Sequence, residues 1–317
     1  MENKKFDVLV IGELNVDIII NHLDSFPEIG KEKFAKNMTV TLGSSSAIFA
    51  CNLSSLGVKV GFLGKIGNDF FGKIVLDKLL EKGVDISLII VDNVSNTGAS
   101  IVLNFDEDRA MVTYAGAMSN LTISDISDNA LAMARHLHFS SYFLQEGMKK
   151  GVGKLFESAK KLNMSTSFDM QWDPKEIWDL DYADVLPYVD VFLPNEKEIM
   201  HLTNESSINE ALKKLSGVSN EIAVKMGSKG SLLQYNDKVI SKEPFLNKNV
   251  VDAIGAGDSF NAGFIFKYIN GCSPEECLEF GNLIGAINTT AAGGTTAFTS
   301  YEDIMKTAKE KFGYKKK

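Results

Sequence analysis

From about residue 120 onward the chain alternates strand-length apolar runs with helical stretches, and few architectures accept that rhythm. LHFS at 137–140, STSFDM at 165–170, VDVFLP at 189–194 and EIAVKM at 221–226 read as strands, with helical stretches such as 147–162 and 196–202 between them. A strand that is followed by a helix cannot turn straight back onto itself. Successive strands therefore run parallel, and their connecting helices cover both faces of the sheet. FDVLVIG at 6–12 obeys the same logic, because a strand buried on both faces needs a continuous apolar run. The expected fold class is α/β, with helices layered on a central, mostly parallel sheet.

The N-terminal part adds a second pattern. DIIIN at 17–21 and MTVTL at 38–42 are β-like and are separated by Pro27 and Gly30. Residues 44–56 read as a helix closed by Gly57, VKVGFLG as a strand, and 70–81 as a helix stopped by Gly83. TGASIVLNF and RAMVTY, joined by the charged tip Asp106, Glu107 and Asp108, read as a hairpin. The pieces at 13–42 and 97–117 fall outside the strand–helix alternation and are expected to form a small sheet of their own. That leaves 1–12, 43–96 and 118–317 for the main domain. The last third is helical over 257–270, 274–290 and 301–311, and the lysines of the tail 314–317 complement the final helix dipole.

Composition narrows the partners. Lys+Arg 33 against Asp+Glu 41 gives 33 − 41 = −8, which lacks the basic footprint of a general nucleic-acid binder. Phosphate would have to be met by local groups. Cys51, Cys272 and Cys277 form no CxxC pair and no disulfide framework, and the odd number suits a reducing compartment. The N-terminal apolar run is too short for a signal-peptide core, and no later run approaches a membrane span, so a cytoplasmic protein without a membrane partner is expected.

The segment that carries chemistry is NVVDAIGAGDSFNAGF, 249–264. Gly255, Ala256 and Gly257 open a helix. Small residues there let successive backbone N–H groups converge on an anion, with the helix dipole adding to the attraction. An acid at Asp258 would repel a phosphate, but it makes sense as the group that takes the proton of a hydroxyl attacking that phosphate. Taken alone, the same residues also suit a plain turn with a first-turn acid. The chain contains no GxxxxGK[ST], so a Walker loop is excluded.

DAIGAGDSFNAGF resembles the C-terminal signature of the ribokinase-like (PfkB) carbohydrate kinase family, whose common form is DTTGAGDxFxAGF; Ala253 and Ile254 replace its two hydroxyl residues. GELNVD (12–17), GKIGNDFFG (64–72), LPNEKEIMHLT (193–203) and VKMGSKGSLL (224–233) resemble further family segments, in order along nearly the whole chain. The resemblance implies a ribokinase-like three-layer sandwich with a small β lid. It also implies transfer of the ATP γ-phosphoryl group to a hydroxyl of a sugar or sugar-like alcohol. It makes Asp258 the general base and Gly255, Ala256 and Gly257 the anion hole. Asn195 and Glu198 would organise Mg²⁺ and the ATP phosphates through water. Lys225, Gly227 and Gly230 would lie near the triphosphate or ribose, and Asn282 near adenine. Asn15 and Asp17 would bond the acceptor hydroxyls, and Asp252 would belong to a monovalent-cation (K⁺) site. Read singly, these residues have plainer roles: Asn195 and Glu198 a helix cap and first-turn acid, Asp17 a strand-edge charge, Lys225 a strand end and Asn282 a polar helix residue.

The chain departs from the family where GGxxxNxA is usual: GSSSAIFA at 43–50 keeps Gly43 but has Ser44 for the second glycine and Ile48 for the asparagine. The Ser44 hydroxyl could face the acceptor. Ile48 cannot form a hydrogen bond, so either it packs into the core, or the acceptor lacks a hydroxyl there or carries an apolar or planar group. A nucleoside kinase on the same scaffold is therefore the alternative, and a sensor without chemistry a third reading that the intact Asp258 disfavours. A lid with one apolar face and open edges implies a homodimer. His22, His136, His138 and His201 show no triad-like partners, with His136 and His138 expected to flank a strand end. Trp172 and Trp178 are expected to pack near the sheet edge.

Overall fold

The computed structural model describes residues 4–23, 25–105, 108–236 and 238–315. The tip residues Asp106 and Glu107 and the terminal Lys316 and Lys317 lie outside the described residues. The N-terminal half holds β1 (Phe6–Ile11), β2 (Asn15–Asn21), β3 (Asn37–Leu42), α1 (Ser45–Ser55), β4 (Val60–Leu63), β5 (Lys65–Gly67), α2 (Phe70–Glu81), β6 (Ile90–Asp92), β7 (Gly98–Phe105) and β8 (Asp108–Tyr114). Then come α3 (Asp128–Leu131), β9 (Ala134–Ser140), α4 (Val152–Lys161), β10 (Ser165–Asp169), α5 (Tyr182–Val185), β11 (Val191–Phe192), α6 (Glu196–Thr203), α7 (Ile208–Leu215) and β12 (Glu221–Lys225). The chain closes with β13 (Ser231–Tyr235), β14 (Lys238–Lys242), α8 (Ala256–Ile269), α9 (Pro274–Asn288) and α10 (Tyr301–Phe312).

The main sheet has the order β14-β13-β12-β11-β10-β9-β1-β4. From β4 to β12 every pairing is parallel, as the alternation requires, while β13 and β14 extend the edge as an antiparallel hairpin. The period-2 pleat of β1 divides the core. Leu9 and Ile11 face Phe139, Phe168 and Phe192 with the α4 and α6 layer, and Val8 and Val10 face Phe49 of α1 and Phe264 of α8. Burying each such side chain stabilises the fold by about 1.5–3 kcal/mol. Close contact of α8 with α9 depends on glycine, since a Cβ on Gly263 would meet Ile284 Cβ at 2.8 Å.

The small sheet has the order β3-β2-β7-β8, with β2 and β7 side by side and parallel, so segments far apart in sequence make one layer. His136 and His138 correct the sequence reading. They lie within β9 and are fully buried, because Ser165 and Ser167 of the neighbouring β10 bond their rings at 2.7–2.8 Å. Among the described residues no helix is long and apolar enough to cross a membrane.

Candidate active site

Parallel α/β sheets leave their binding crevice at the carboxyl ends of the strands. Here those ends deliver Glu13 after β1, Asp169 at the end of β10, Asn195 after β11 and Lys225 at the end of β12. The start of α8 brings Asp258 to the same place. Two cavities meet there. One, of about 570 Å³, is lined by Asn15, Asp17, Ser44, Ile48 and Asp258 and roofed by the small sheet through Ser100 and Met111. The other, of about 420 Å³, is lined by Gly230, Phe245, Asn282 and Ala286. Lys225, Gly227, Ala253, Ala256 and Gly257 border both, whereas Asp258 borders only the first.

The turn before α8 is held in a shape that only glycine adopts easily. Gly255 has φ +75°, and a Cβ there would meet Gly294 Cα at 2.8 Å and Ile48 Cγ2 at 3.0 Å. A buried polar network absent from the sequence reading pins it from below. Asn52 Nδ2 donates to Ser259 Oγ and to Gly294 O, both at 2.9 Å, and Asn288 Nδ2 donates to Ile254 O at 2.6 Å. Of the three amides read as an anion hole, that of Ala256 donates to Ala253 O at 3.2 Å. Among the described residues no backbone partner is found for the amides of Gly255 and Gly257. Asp252 accepts from the Ile254 and Gly293 amides at 2.9 Å each, tying two loops together behind this turn.

Asp258 is buried, and its Oδ1 accepts from Gln171 Nε2 at 3.0 Å. The same Gln171 amide donates to Asp169 Oδ2 at 2.9 Å, and that oxygen also accepts from Lys225 Nζ at 2.7 Å and Asn261 Nδ2 at 2.5 Å. Burial, then the neighbouring Asp169 and Glu13 carboxylates, push the Asp258 carboxyl up to about 8, against the pull of Lys225 and the Gln171 bond. Burial and Asp169 likewise push Glu198 up to about 7. Burial alone would pull the Lys225 ammonium down, but Asp169, Glu198 and Asp258 together outweigh it and hold it above the ordinary lysine range. Sequence reasoning missed Asp169, Gln171 and Asn261. The available signal was the position of Asp169 at the carboxyl end of an apolar strand.

Asn195 and Glu198 close a capping box on α6: Asn195 Oδ1 accepts from the Glu198 amide at 2.9 Å and Glu198 Oε2 accepts from the Asn195 amide at 2.8 Å. The cap and the site are thus the same residues. One Glu198 oxygen remains outside the box. Among the described residues no three acidic, histidine or cysteine side chains are placed to hold a metal ion together, so a cation here would be one such as Mg²⁺, which keeps several of its waters and takes few protein ligands.

At the first cavity, Asn15 Nδ2 donates to Asp17 Oδ1 at 3.1 Å and to Ser100 Oγ at 3.3 Å, joining polar groups of β2 and β7 within the small sheet. Gly43 is needed for closeness, since a Cβ there would fall 2.3 Å from Asp17 Oδ1. Ser44 lines the first cavity, and its hydroxyl donates to Glu13 O at 2.6 Å and caps α1 by accepting from the Ala47 amide at 2.9 Å. Its φ of +69° explains why a glycine suits that position. Ile48 does both things the sequence left open, lining the cavity while packing against Gly255 and Gly294. Asn282 uses its amide on Lys242 O and Glu243 O, at 3.2 and 3.1 Å, in the wall of the second cavity. Trp172 lines the first cavity rather than only packing, with Trp178 and His201 stacked beside it.

The pattern of the pfkB family carbohydrate kinases matches residues 5–300. The chain belongs to this family. The family match makes this kinase a phosphotransferase of the carbohydrate kinase type, and its large parallel sheet with a smaller one above is the ribokinase fold. The kinase is 28% identical over 330 residues to a 5-dehydro-2-deoxygluconokinase of Clostridium tetani, covering 98% of this chain and 95% of that one. It is 27% identical to a nucleoside kinase of Methanothermobacter thermautotrophicus, with 97% of both chains covered. A ribokinase-type chain from E. coli solved with ATP and Mg²⁺ superposes with a TM-score of 0.82 at 25% identity, covering 95% of this chain and 98% of that one.

Proposed function

We propose that this kinase transfers the γ-phosphoryl group of ATP to a hydroxyl of a small sugar or sugar-like alcohol, with Asp258 as general base. The observation that carries the reading is the pair of cavities meeting at Ala256, Gly257 and Lys225, with Asp258 on one side only. ATP placed in the cavity of Asn282 brings its terminal phosphate to the Gly255 and Gly257 amides. An acceptor held by Asn15 and Asp17 presents its hydroxyl to Asp258. The hydroxyl proton passes to the Asp258 carboxylate as the new O–P bond forms and the bond from Pγ to the β-phosphate oxygen breaks, releasing ADP. The amides and Lys225 stabilise the charge on the transferring group. Mg²⁺, which neutralises phosphate charge when bound, would be held by Glu198 and Asn195 through water. The small sheet, residues 13–42 and 97–117, acts as a lid that excludes water from the transfer.

A nucleoside acceptor is the second reading, supported by the apolar Ile48, Leu144 and Trp172 around the cavity. A panel of sugars and nucleosides assayed for acceptor-dependent ADP release separates the two, and release with no member of the panel contradicts the kinase reading altogether.

Because Asp258 must be ionised to take a proton and its carboxyl stands near 8, kcat/KM for the acceptor should rise with pH along a one-proton limb. The Gln171 bond favours the ionised form, so Gln171→Ala is expected to move that limb to higher pH. A limb that stays in place separates Gln171 from the base.

A homodimer through the lids is part of the proposal. Its support is the outer face of the small sheet, where Ile18, Val40, Ile101 and Val112 form one cross-strand row. Met38, Ile101, Val112 and Tyr114 are 66%, 43%, 67% and 56% exposed, a costly patch on a lone chain. Sedimentation should give a dimer, and Val112→Lys a monomer; a monomeric unmodified protein contradicts the dimer.

A further inference from the structure

The chain leaves Asp169 through a loop whose shape the phosphoryl transfer itself does not require. Within eight positions it holds three non-glycine residues in the left-handed region: Gln171 at φ +60°, Glu176 at +53° and Trp178 at +58°. Each such residue costs free energy, and backbone of this kind persists only where its surroundings hold it. Here the holder is Asp173, which is buried. Its Oδ1 accepts from the Lys175 amide at 2.9 Å, and its Oδ2 accepts from the Ile177 and Trp178 amides at 2.8 and 2.7 Å.

The loop brings Trp172 into the wall of the first cavity. It is the one aromatic side chain among the described lining residues there, and it does not border the second cavity. Its ring stands at 90° to Trp178 and at 85° to His201, with centroids 4.9 and 5.3 Å away. Those two rings are themselves stacked, 5.1 Å apart and 5° from parallel. His201 belongs to α6, the helix capped by Asn195 and Glu198. Trp172 nevertheless remains 37% exposed. An indole braced by two rings and left partly uncovered in a cavity wall is a preformed contact surface.

We propose that Trp172 binds the acceptor, that the acceptor is cyclic, and that an apolar face of its ring rests on the indole. That face is the C–H face of a sugar or the plane of a base. The inference rests on the kinase reading above and narrows its substrate class. Gln171, the residue before Trp172, bonds Asp258 at 3.0 Å, so consecutive residues carry the ring contact and the partner of the base. Elsewhere in the same wall Asn15 and Ser100 offer polar groups to hydroxyls, and Ile48 and Leu144 add apolar surface. An open-chain polyol has similar hydroxyls but no rigid face, and it loses more rotational freedom on binding.

The test compares kcat/KM at saturating MgATP for ribose, fructose and adenosine with the open-chain ribitol and glucitol. The expected result is turnover of a cyclic compound at least about 10-fold better than of either polyol. Trp172→Ala should raise KM for that compound about 5–150-fold, the usual worth of a stacked ring, with kcat within about threefold and the Kd of a non-hydrolysable ATP analogue unchanged. Trp172→Phe should recover most of the loss. A rise shared by ribose and adenosine puts the sugar ring on the indole, and a rise confined to adenosine puts the base there. The chain has two tryptophans, so in Trp178→Phe the emission reports Trp172 alone and should shift when the acceptor is added in the presence of the analogue. An unchanged KM in Trp172→Ala, or unchanged emission at saturating acceptor, makes Trp172 a packing residue and overturns the inference. A polyol used as well as the best cyclic acceptor also overturns it and leaves the kinase reading standing. ADP release with no member of the panel overturns the kinase reading and this inference with it.

Discussion

Asp258→Asn should lower kcat by about 10²–10⁴-fold, the usual worth of a positioned general base, while the Kd for a non-hydrolysable ATP analogue stays nearly constant. Asparagine keeps the size of the side chain and can still accept the Gln171 hydrogen bond in place of Asp258 Oδ1. It cannot take the acceptor proton. Asp258 lies on the acceptor cavity and not on the nucleotide cavity, so ATP binding should survive the change. Stability gives an independent readout. The Asp258 carboxyl is raised to about 8 in the fold, against an ordinary value near 3.8. Between those values the folded chain holds a proton that the unfolded chain has lost, so the native group costs stability as pH rises through that window. The variant should therefore gain in Tm over the natural protein between pH 5 and pH 8. Turnover within threefold of normal would remove Asp258 from the base role, and loss of analogue binding would make its role structural.

Lys225→Met should be the most damaging single change to the site's own stability. The Lys225 side chain is 11% exposed and Asp169, its partner at 2.7 Å, is fully buried. Removing one member of a buried ion pair typically costs about 3–5 kcal/mol, because the remaining charge is left without a partner. Here Asp169, Glu198 and Asp258 all lose the same cation. The raised Lys225 group gives its stabilisation in full below the ordinary lysine range and loses it only as pH climbs above that range. The natural protein thus keeps this contribution across pH 5–9. In the variant the carboxylates can relieve their repulsion by taking protons, so the loss of Tm should be larger at pH 8.5 than at pH 5.5. Turnover should fall as well, since Lys225 borders both cavities. A Tm loss independent of pH would mean that the lysine acts by packing alone.

The parts of this molecule legible in the sequence are those set by local patterns. Unbroken apolar runs mark strands covered on both faces, and the helix at Phe70–Glu81 ends where Gly83 supplies a positive φ of +74°. The Gly255–Asp258 turn is legible because glycine before a helix has few other uses. What stayed hidden depends on chain segments that only the fold brings together. Gln171 reaches Asp258 across 87 residues and Asn52 reaches Ser259 across 207. No spacing rule connects such pairs. His136 and His138 looked like strand-end residues because their polarity argues against burial, and only the serines of β10 make burial tolerable. The helix cap made by the Ser44 hydroxyl stayed hidden as well, because its backbone φ is not written in the residue type.

The central claim is that one hydroxyl acceptor receives one phosphoryl group where the two cavities meet. Phosphorus NMR of the protein turning over MgATP with its best acceptor tests this directly. ADP and a phosphomonoester of the acceptor are expected in equal amounts, with no ATP consumed when the acceptor is left out. ADP accompanied by inorganic phosphate at a rate indifferent to the acceptor would contradict it.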